Sequence, residues 1–250
     1  MNREPAGPVL LAGGLIGLGI LGLAFRDYVL WEELPAAVPA RAVLAALSGV
    51  LLLVMGAGLL TPRVKDRAAR LAFGYLVLCT ALLKLPPLFT APFVEVNWLE
   101  LGMFGTVALA AWLLAAPGGR RTVRVLYGLA LIPIGVSHFT YAQAALDLVP
   151  TWLPARVFWS DLGGVGHLAA GLGILLGVFP RLAATMEAGM ITAFTLLVWI
   201  PGVVAHPGEH SQWSELAASW AVGAAAWVVA ESYAGARWLA VARPALSDAA

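Results

Sequence analysis

Residues 41–60 read RAVLAALSGVLLLVMGAGLL, and no charged residue follows the first arginine of this stretch. A helix of about 20 apolar residues is long enough to cross the hydrocarbon core of a bilayer. The composition agrees, because 61% of all residues are hydrophobic and 12% are charged, whereas a soluble domain has about 25% charged residues. The sequence therefore predicts an integral membrane protein.

Seven other segments have the same length and apolar character. They show no strand-like alternation of polar and apolar residues, so the prediction is all-α. The first segment has no A-x-A-like cleavage site before Arg26 and is predicted to be a retained span. The eight predicted transmembrane helices are 8–25, 41–60, 70–89, 98–116, 123–141, 157–178, 183–204 and 214–232.

The distribution of basic residues predicts the orientation. Eleven of the fifteen lysines and arginines, Arg3 among them, fall on the side of the N-terminus, and Lys84 lies within a span. Basic residues concentrate on the cytoplasmic side, so both termini are predicted to be cytoplasmic. The net charge of +1 argues against a nucleic-acid partner, and the single cysteine, Cys79, rules out a disulfide within the chain.

The stretch that begins at Arg41 recurs 115 positions later as RVFWSDLGGVGHLAAGLGIL, residues 156–175. Each repeat would hold four spans, an even number, so we expect two parallel four-helix repeats related by a pseudo-two-fold axis along the membrane normal. The predicted boundaries are 1–119 and 120–250, within one compact membrane domain. The pairs that match include Pro35 and Pro150, Gly49 and Gly164, Gly56 and Gly171, Pro86 and Pro201, Trp98 and Trp213, and Glu100 and Glu215.

Several motifs of the second half carry a family resemblance: His138-Phe139, Val149-Pro150, Gly164-Val165, residues 179–184 and residues 198–201. On these motifs the second half resembles the DoxX-like membrane family, and the chain looks like a fused pair of DoxX-type bundles. The resemblance implies a bacterial or archaeal plasma membrane and quinone-linked redox chemistry, or a maturation or chaperone role. The family commonly has a glutamate in its second helix, where this chain has His167.

His167 is predicted to lie near the middle of its span, about ten residues of 1.5 Å from the outer end. A buried imidazole can titrate near neutral pH, but it can equally well bond to a neighbouring helix. His138 and Asp161 lie toward the outer end of adjacent spans. The predicted catalytic residues are His167, His138 and Asp161, and with Glu215 they are expected to surround a cavity that opens outward.

Lys84 and Glu100 lie at similar depth on consecutive spans, which predicts an ion pair. Glu215 has no such lysine, because Trp199 stands where the first repeat has Lys84; we expect Arg156, a histidine or a solvated cavity beside it. An aromatic belt at the outer boundary is predicted from Trp31, Trp98, Trp152, Trp159 and Trp213. The predicted ligand-binding residues are Glu215, Trp199, Trp159, Lys84, Glu100 and Tyr141.

His206 and His210 have the i, i+4 spacing that suits a zinc site on a helix. Pro207 and Gly208 lie between them, so a continuous helix is not expected there and no metal site is predicted.

Three functions remain open at this point. The first is a membrane oxidoreductase component, an enzyme or a subunit, that binds a quinone or another lipophilic molecule. The second is a non-enzymatic scaffold or chaperone subunit, and the third is a small-molecule carrier. The expected partners are the lipid bilayer and either a membrane redox partner or further copies of the chain.

Overall fold

The computed structural model describes residues 5–27 and 39–241; Arg3, Trp31 and Pro35 lie outside these residues. Each of the eight predicted spans falls on a long helix, and a short helix, Ala142–Leu148, connects the fifth to the sixth. The long helices are α1 (Ala6–Phe25), α2 (Arg41–Leu59), α3 (Lys65–Thr90), α4 (Glu95–Ala115), α5 (Arg120–Thr140), α6 (Arg156–Leu176), α7 (Pro180–Ala205) and α8 (His210–Glu231).

Six of these helices, α1 to α5 and α7, are long and apolar enough to cross a membrane. The other two, α6 and α8, reach 21 and 22 residues but are less apolar. Residues of α8 are buried along most of its length, many of them alanines. A helix that contacts other helices rather than lipid does not need a lipophilic surface. The chain is an all-helical membrane protein.

The eight helices pack in chain order around a ring. Each contacts the next one, α8 closes the ring on α1, and α4 also contacts α8 across it. The core is correspondingly rich in alanine along α4 and α8, and small side chains let helix axes approach closely. This arrangement places α5, α6 and α7 side by side, which is what positions the site described below.

Two helices change their winding at equivalent places. Residues Thr80–Lys84 of α3 and Thr195–Trp199 of α7 form π-helical turns, and each turn is followed at once by a proline-containing helical segment. Pro86 and Pro201 cannot donate a backbone hydrogen bond, so the preceding turn must rearrange. The prolines therefore account for both helix distortions.

At one end of the bundle, here called the basic end, the turns are rich in arginine, and residues 232–241 lie across it. Arg124 bonds to Ser232 and stacks on the ring of Tyr233 at 3.7 Å. Arg181 donates to the carbonyl of Ala236 and stacks on Trp238. The guanidinium groups thus fasten the segment after α8 to the starts of α5 and α7.

Candidate functional site

A buried hydrogen-bonded pair lies in the middle of the second half of the chain. His167 Nδ1 of α6 is 2.8 Å from Glu187 Oε1 of α7. The two residues are only 4% and 1% exposed, so the pair is shielded from solvent on all sides. A charged or polar group in such a place is stable only when it is bonded.

His138 of α5 extends this pair toward the end of the bundle opposite the basic end. Its ring centroid is 5.4 Å from that of His167, and Phe194 of α7 packs against both rings. His138 Nδ1 lies 3.2 Å from the carbonyl of Ser160. His138 is half-buried and interacts electrostatically with Asp161, which is exposed. The group therefore reaches from the surface to the core.

Two oxygen atoms in this region are buried without a hydrogen-bond partner. They are the hydroxyl of Tyr127 on α5 and Oε2 of Glu187. Tyr127 is fully buried and interacts electrostatically with Glu187. Buried polar atoms are nearly always bonded, so each such exception calls for a water, a ligand or a functional role. We refer to Tyr127, His138, His167 and Glu187 as the polar cluster.

The local sequence explains how α6 and α7 bring their polar residues together. A tight turn, in which Gly177 has φ 68° and Phe179 φ 49°, makes the two helices antiparallel. His167 is nine residues before the end of α6 and Glu187 seven after the start of α7. At 1.5 Å per residue both lie about 10–14 Å from the turn, and thus at the same depth.

Close approach of α5 and α6 requires the glycines of α6. A Cβ atom on Gly163 would lie 2.9 Å from His138 Cε1, and one on Gly164 would lie 2.8 Å from His138 Cβ. Any larger side chain at either position would push the His138 ring away from His167. The run of glycines in α6 therefore sets the distance between the two imidazoles.

This geometry can hold and pass a proton. The bond at Nδ1 of His167 fixes the orientation of the ring, so Nε2 is its remaining site for proton exchange. His138 packs against His167 and interacts electrostatically with the exposed Asp161, an arrangement suited to proton exchange between the surface and the pair.

The predicted ion pair in the first half is present. Lys84 Nζ is 3.0 Å from Glu100 Oε2, with the lysine side chain 4% exposed and the glutamate 37%. Trp199, the counterpart of Lys84, ends the second π-helical turn and is half-buried. These three residues are not part of the polar cluster.

Within residues 5–27 and 39–241, three other predicted ligand-binding residues, Tyr141, Trp159 and Glu215, make no hydrogen bond to the polar cluster. Tyr141 accepts a hydrogen bond from the backbone N–H of Val96, and Trp159 donates to the carbonyl of Pro154. Glu215 does not pair with Arg156, because the guanidinium donates to backbone carbonyls of the loop before α6. Within the described ranges Glu215 makes no hydrogen bond.

One cavity of about 440 Å³ lies between α3, α4 and α5, and a smaller one of about 80 Å³ lies between α1, α7 and α8. Neither of these two cavities is lined by His138, Asp161, His167 or Glu215. The outward-opening cavity expected around those four residues stays a prediction.

As predicted, His206 and His210 do not lie on one continuous helix. α7 ends before His206, and α8 begins at His210. His206 Nδ1 is 3.5 Å from Glu209, and both are largely exposed. The His210 ring packs on Phe25 with centroids 4.4 Å apart. In residues 5–27 and 39–241, no group of three or more His, Cys, Asp or Glu side chains is arranged to hold a metal ion.

Sequence reasoning missed Glu187 and Tyr127 as members of this site. It had assigned the polar groups to the outer half, and Glu187 lies toward the basic end. The available signal was the equal distance of His167 and Glu187 from the turn between α6 and α7. Tyr127 offered no signal, because a tyrosine in an apolar helix is most often a belt or core residue.

A family model described as a domain of unknown function, DUF8561, matches residues 127–230. The matched region begins at Tyr127 and contains all four residues of the polar cluster. No curated protein and no solved structure shows a significant match.

Proposed function

We propose that the chain spans the membrane eight times, as two parallel four-helix repeats with both termini in the cytoplasm. The two π-helical turns support this, because they are 115 residues apart, as are the left-handed residues Ala40 and Ala155. The indole N–H groups of Trp98 and Trp213 also donate to carbonyls at equivalent places, Pro92 and Pro207.

The packing of the helices supports the same symmetry. Contacts of α1 with α2, α2 with α3 and α3 with α4 have counterparts in contacts of α5 with α6, α6 with α7 and α7 with α8. The contact of α4 with α5 corresponds to that of α8 with α1. The basic end would face the cytoplasm, as the positive-inside rule requires.

For its function, we propose a quinone-linked membrane oxidoreductase component in which the polar cluster exchanges protons with the quinone. The observation that carries this proposal is the buried pair of His167 and Glu187, with the half-buried His138 beside it. Ionisable groups in the middle of a membrane protein are costly and usually mark a proton or substrate pathway.

The second repeat alone carries these groups. The positions 115 residues before His167 and Glu187 hold Leu52 and Ala72, and the position before Tyr127 holds Ala12. All three are buried apolar residues of the core. The equivalent places in the first repeat are thus filled by apolar residues, which argues that the polar residues serve a function rather than the fold.

The residues present fit a quinone head group. His138 is the half-buried member of the cluster, so a ring that approaches from the membrane reaches this imidazole first, and an imidazole N–H suits a quinone carbonyl. When bound, the quinone would supply the electron acceptor, and its reduction to a quinol takes two electrons and two protons. His138 would donate the two protons in turn and be reprotonated from His167, with Glu187 stabilising the charged imidazole.

The resemblance of the second half to DoxX-like proteins supports this reading. The chain has one cysteine and so no dithiol of its own, and the electrons would come from a membrane redox partner or a bound substrate. A scaffold or chaperone role requires no proton exchange at the polar cluster, and the following experiment separates the two.

The test is the binding of a short-chain quinone to purified protein. His167→Ala removes the imidazole, and we expect at least a tenfold weaker affinity. Leu52→Ala truncates the equivalent position of the first repeat and is the matched control, with expected affinity within about twofold of the wild type. Equal affinity of the wild type and His167→Ala, in samples with the same helix content, would contradict the proposal.

A further inference from the structure

The 440 Å³ cavity is a groove with α4 as its floor and α3 and α5 as its walls. Along α4 it reaches from Trp98 to Trp112, a distance of about 21 Å at 1.5 Å per residue. Val77 and Leu129 line it and are 42% and 51% exposed. The groove is therefore long, narrow and open along the side of the bundle.

The wall of the groove is almost entirely hydrocarbon. Thr80 lies on the wall, but its hydroxyl donates to the carbonyl of Leu76 in its own helix. The indole N–H of Trp98 donates to the carbonyl of Pro92. Among the groove-lining side chains, the indole N–H of Trp112 at the far end is left as a donor, so a polar ligand would lose most of its hydrogen bonds to water in the groove.

The smaller cavity lies between α1, α7 and α8. It is the counterpart of this groove in the repeat, because most of its lining residues are 115 positions away from those of the groove. Its lining residues Thr195, Gly223 and Trp227 correspond to Thr80, Ala108 and Trp112. It has a volume of only about 80 Å³. The two grooves are thus built alike, yet one is open and the other is nearly filled.

Trp220 accounts for the difference. It lines the small cavity and donates its indole N–H to the carbonyl of Leu10 on α1. The equivalent position in the open groove is Gly105, where a Cβ atom would meet nothing within 4 Å. In one groove the chain supplies its own apolar filler, and in the other the glycine leaves that space for a molecule from outside.

We propose that the open groove is a binding site for one hydrocarbon chain of a membrane phospholipid. An empty apolar groove forfeits the dispersion contacts of its lining, and the indole in the matching groove shows that an apolar group of similar thickness fits this space. The length of about 21 Å suits an extended acyl chain rather than a compact ring. This site is separate from the polar cluster and does not depend on the quinone proposal.

The test is native mass spectrometry of the purified full-length protein after incubation with phosphatidylethanolamine and phosphatidylglycerol vesicles that carry deuterated oleoyl chains. We expect the wild type to retain one labelled phospholipid through detergent washing. Gly105→Trp should fill the groove as Trp220 fills its counterpart and reduce that occupancy at least tenfold.

Three further variants keep the result interpretable. Gly105→Ala should retain the lipid, because a methyl group leaves most of the groove open. Gly74→Trp adds an indole at an exposed position of α3 that has open space but does not line the groove, and it should also retain the lipid. Trp220→Gly should open the second groove and add a second bound phospholipid.

Equal retention by Gly105→Trp and the wild type would overturn the proposal, and so would recovery of a prenylated quinone in place of the phospholipid. Loss of the lipid from Gly74→Trp to the same extent as from Gly105→Trp would also overturn it. Circular dichroism shows whether each variant keeps its helix content, and Gly105→Phe provides a second groove-filling variant with the same expected loss.

Discussion

His167 and Glu187 are both buried, and each is the hydrogen-bond partner of the other. The contribution of either residue to stability therefore depends on the presence of the other. Removing one member leaves an unbonded polar group in the core, whereas replacing both with apolar residues removes the need for the bond. The first repeat shows which apolar residues fit, since it has Leu52 and Ala72 at the equivalent positions.

This mutual dependence leads to a prediction from a double-mutant cycle. His167→Leu and Glu187→Ala should each lower the free energy of unfolding by about 2 kcal/mol. The double variant should lose less stability than the sum of the two single losses. Its free energy of unfolding should lie within about 1 kcal/mol of that of the wild type. Unfolding in mixed detergent micelles measures these values, and strictly additive losses would contradict the pairing.

Predictions about single residues were confirmed where the depth of a residue along its helix is sufficient to identify its partner. Lys84 and Glu100 are at equal depth on neighbouring antiparallel helices, and their ion pair is present. The partner of His167 was missed because the predicted site was confined to the outer half, although His167 and Glu187 lie at similar distances from the turn between α6 and α7. Of the three alternatives expected beside Glu215, Arg156 is not its partner, since the guanidinium donates to backbone carbonyls of the loop before α6.

At the scale of the helix, glycine positions decide how closely the axes approach. A Cβ atom on Gly49 of α2 would lie 2.9 Å from the carbonyl oxygen of Gly19 on α1. The carbonyl belongs to the backbone and cannot move without shifting the helix. On the same helix as Gly19, Gly17 has open space around it, and a Cβ atom there would meet nothing within 4 Å.

We therefore predict that Gly49→Val lowers the free energy of unfolding by about 1–3 kcal/mol, because it forces α1 and α2 apart. Gly17→Val is the matched control on the partner helix and should change stability by no more than about 0.5 kcal/mol. Thermal or denaturant unfolding of both variants measures the difference. Equal effects of the two variants on stability would show that the contact between Gly49 and α1 does not limit how closely the two helices approach.

The positions of the helices were predictable because the signal is local: a long apolar run, and a proline near its end. Pro86 and Pro201 indicated the two distortions, although not that each takes the form of a π-helical turn. The open groove could not be predicted in the same way. It depends on the absence of a side chain at Gly105 and on walls from two other helices, and no local pattern contains that information.

At the scale of the molecule, the proposed parallel repeats require residues 115 positions apart to lie on the same side of the membrane. Phe93 and Gly208 are such a pair, in the turns after α3 and α7, whereas Gly118 lies in the turn between the two halves at the basic end. Phe93 is 99% exposed, and both glycines have open space around them, so all three positions tolerate a cysteine.

In a Cys79→Ser background, a membrane-impermeant maleimide should label Phe93→Cys and Gly208→Cys in intact cells. Gly118→Cys should react only after the membrane is permeabilised, because the basic end is expected to face the cytoplasm. Labelling of Phe93→Cys and Gly208→Cys on opposite sides would exclude parallel repeats. Labelling of Gly118→Cys in intact cells would reverse the proposed orientation.

The most direct test of the proposed site is an experimental density map of the purified protein with a bound short-chain quinone analogue. We predict density for the ring within hydrogen-bonding distance of His138, with the bond between His167 and Glu187 retained behind it. A ring bound elsewhere in the molecule, with the surroundings of His138 unchanged from the ligand-free protein, would contradict the proposed site.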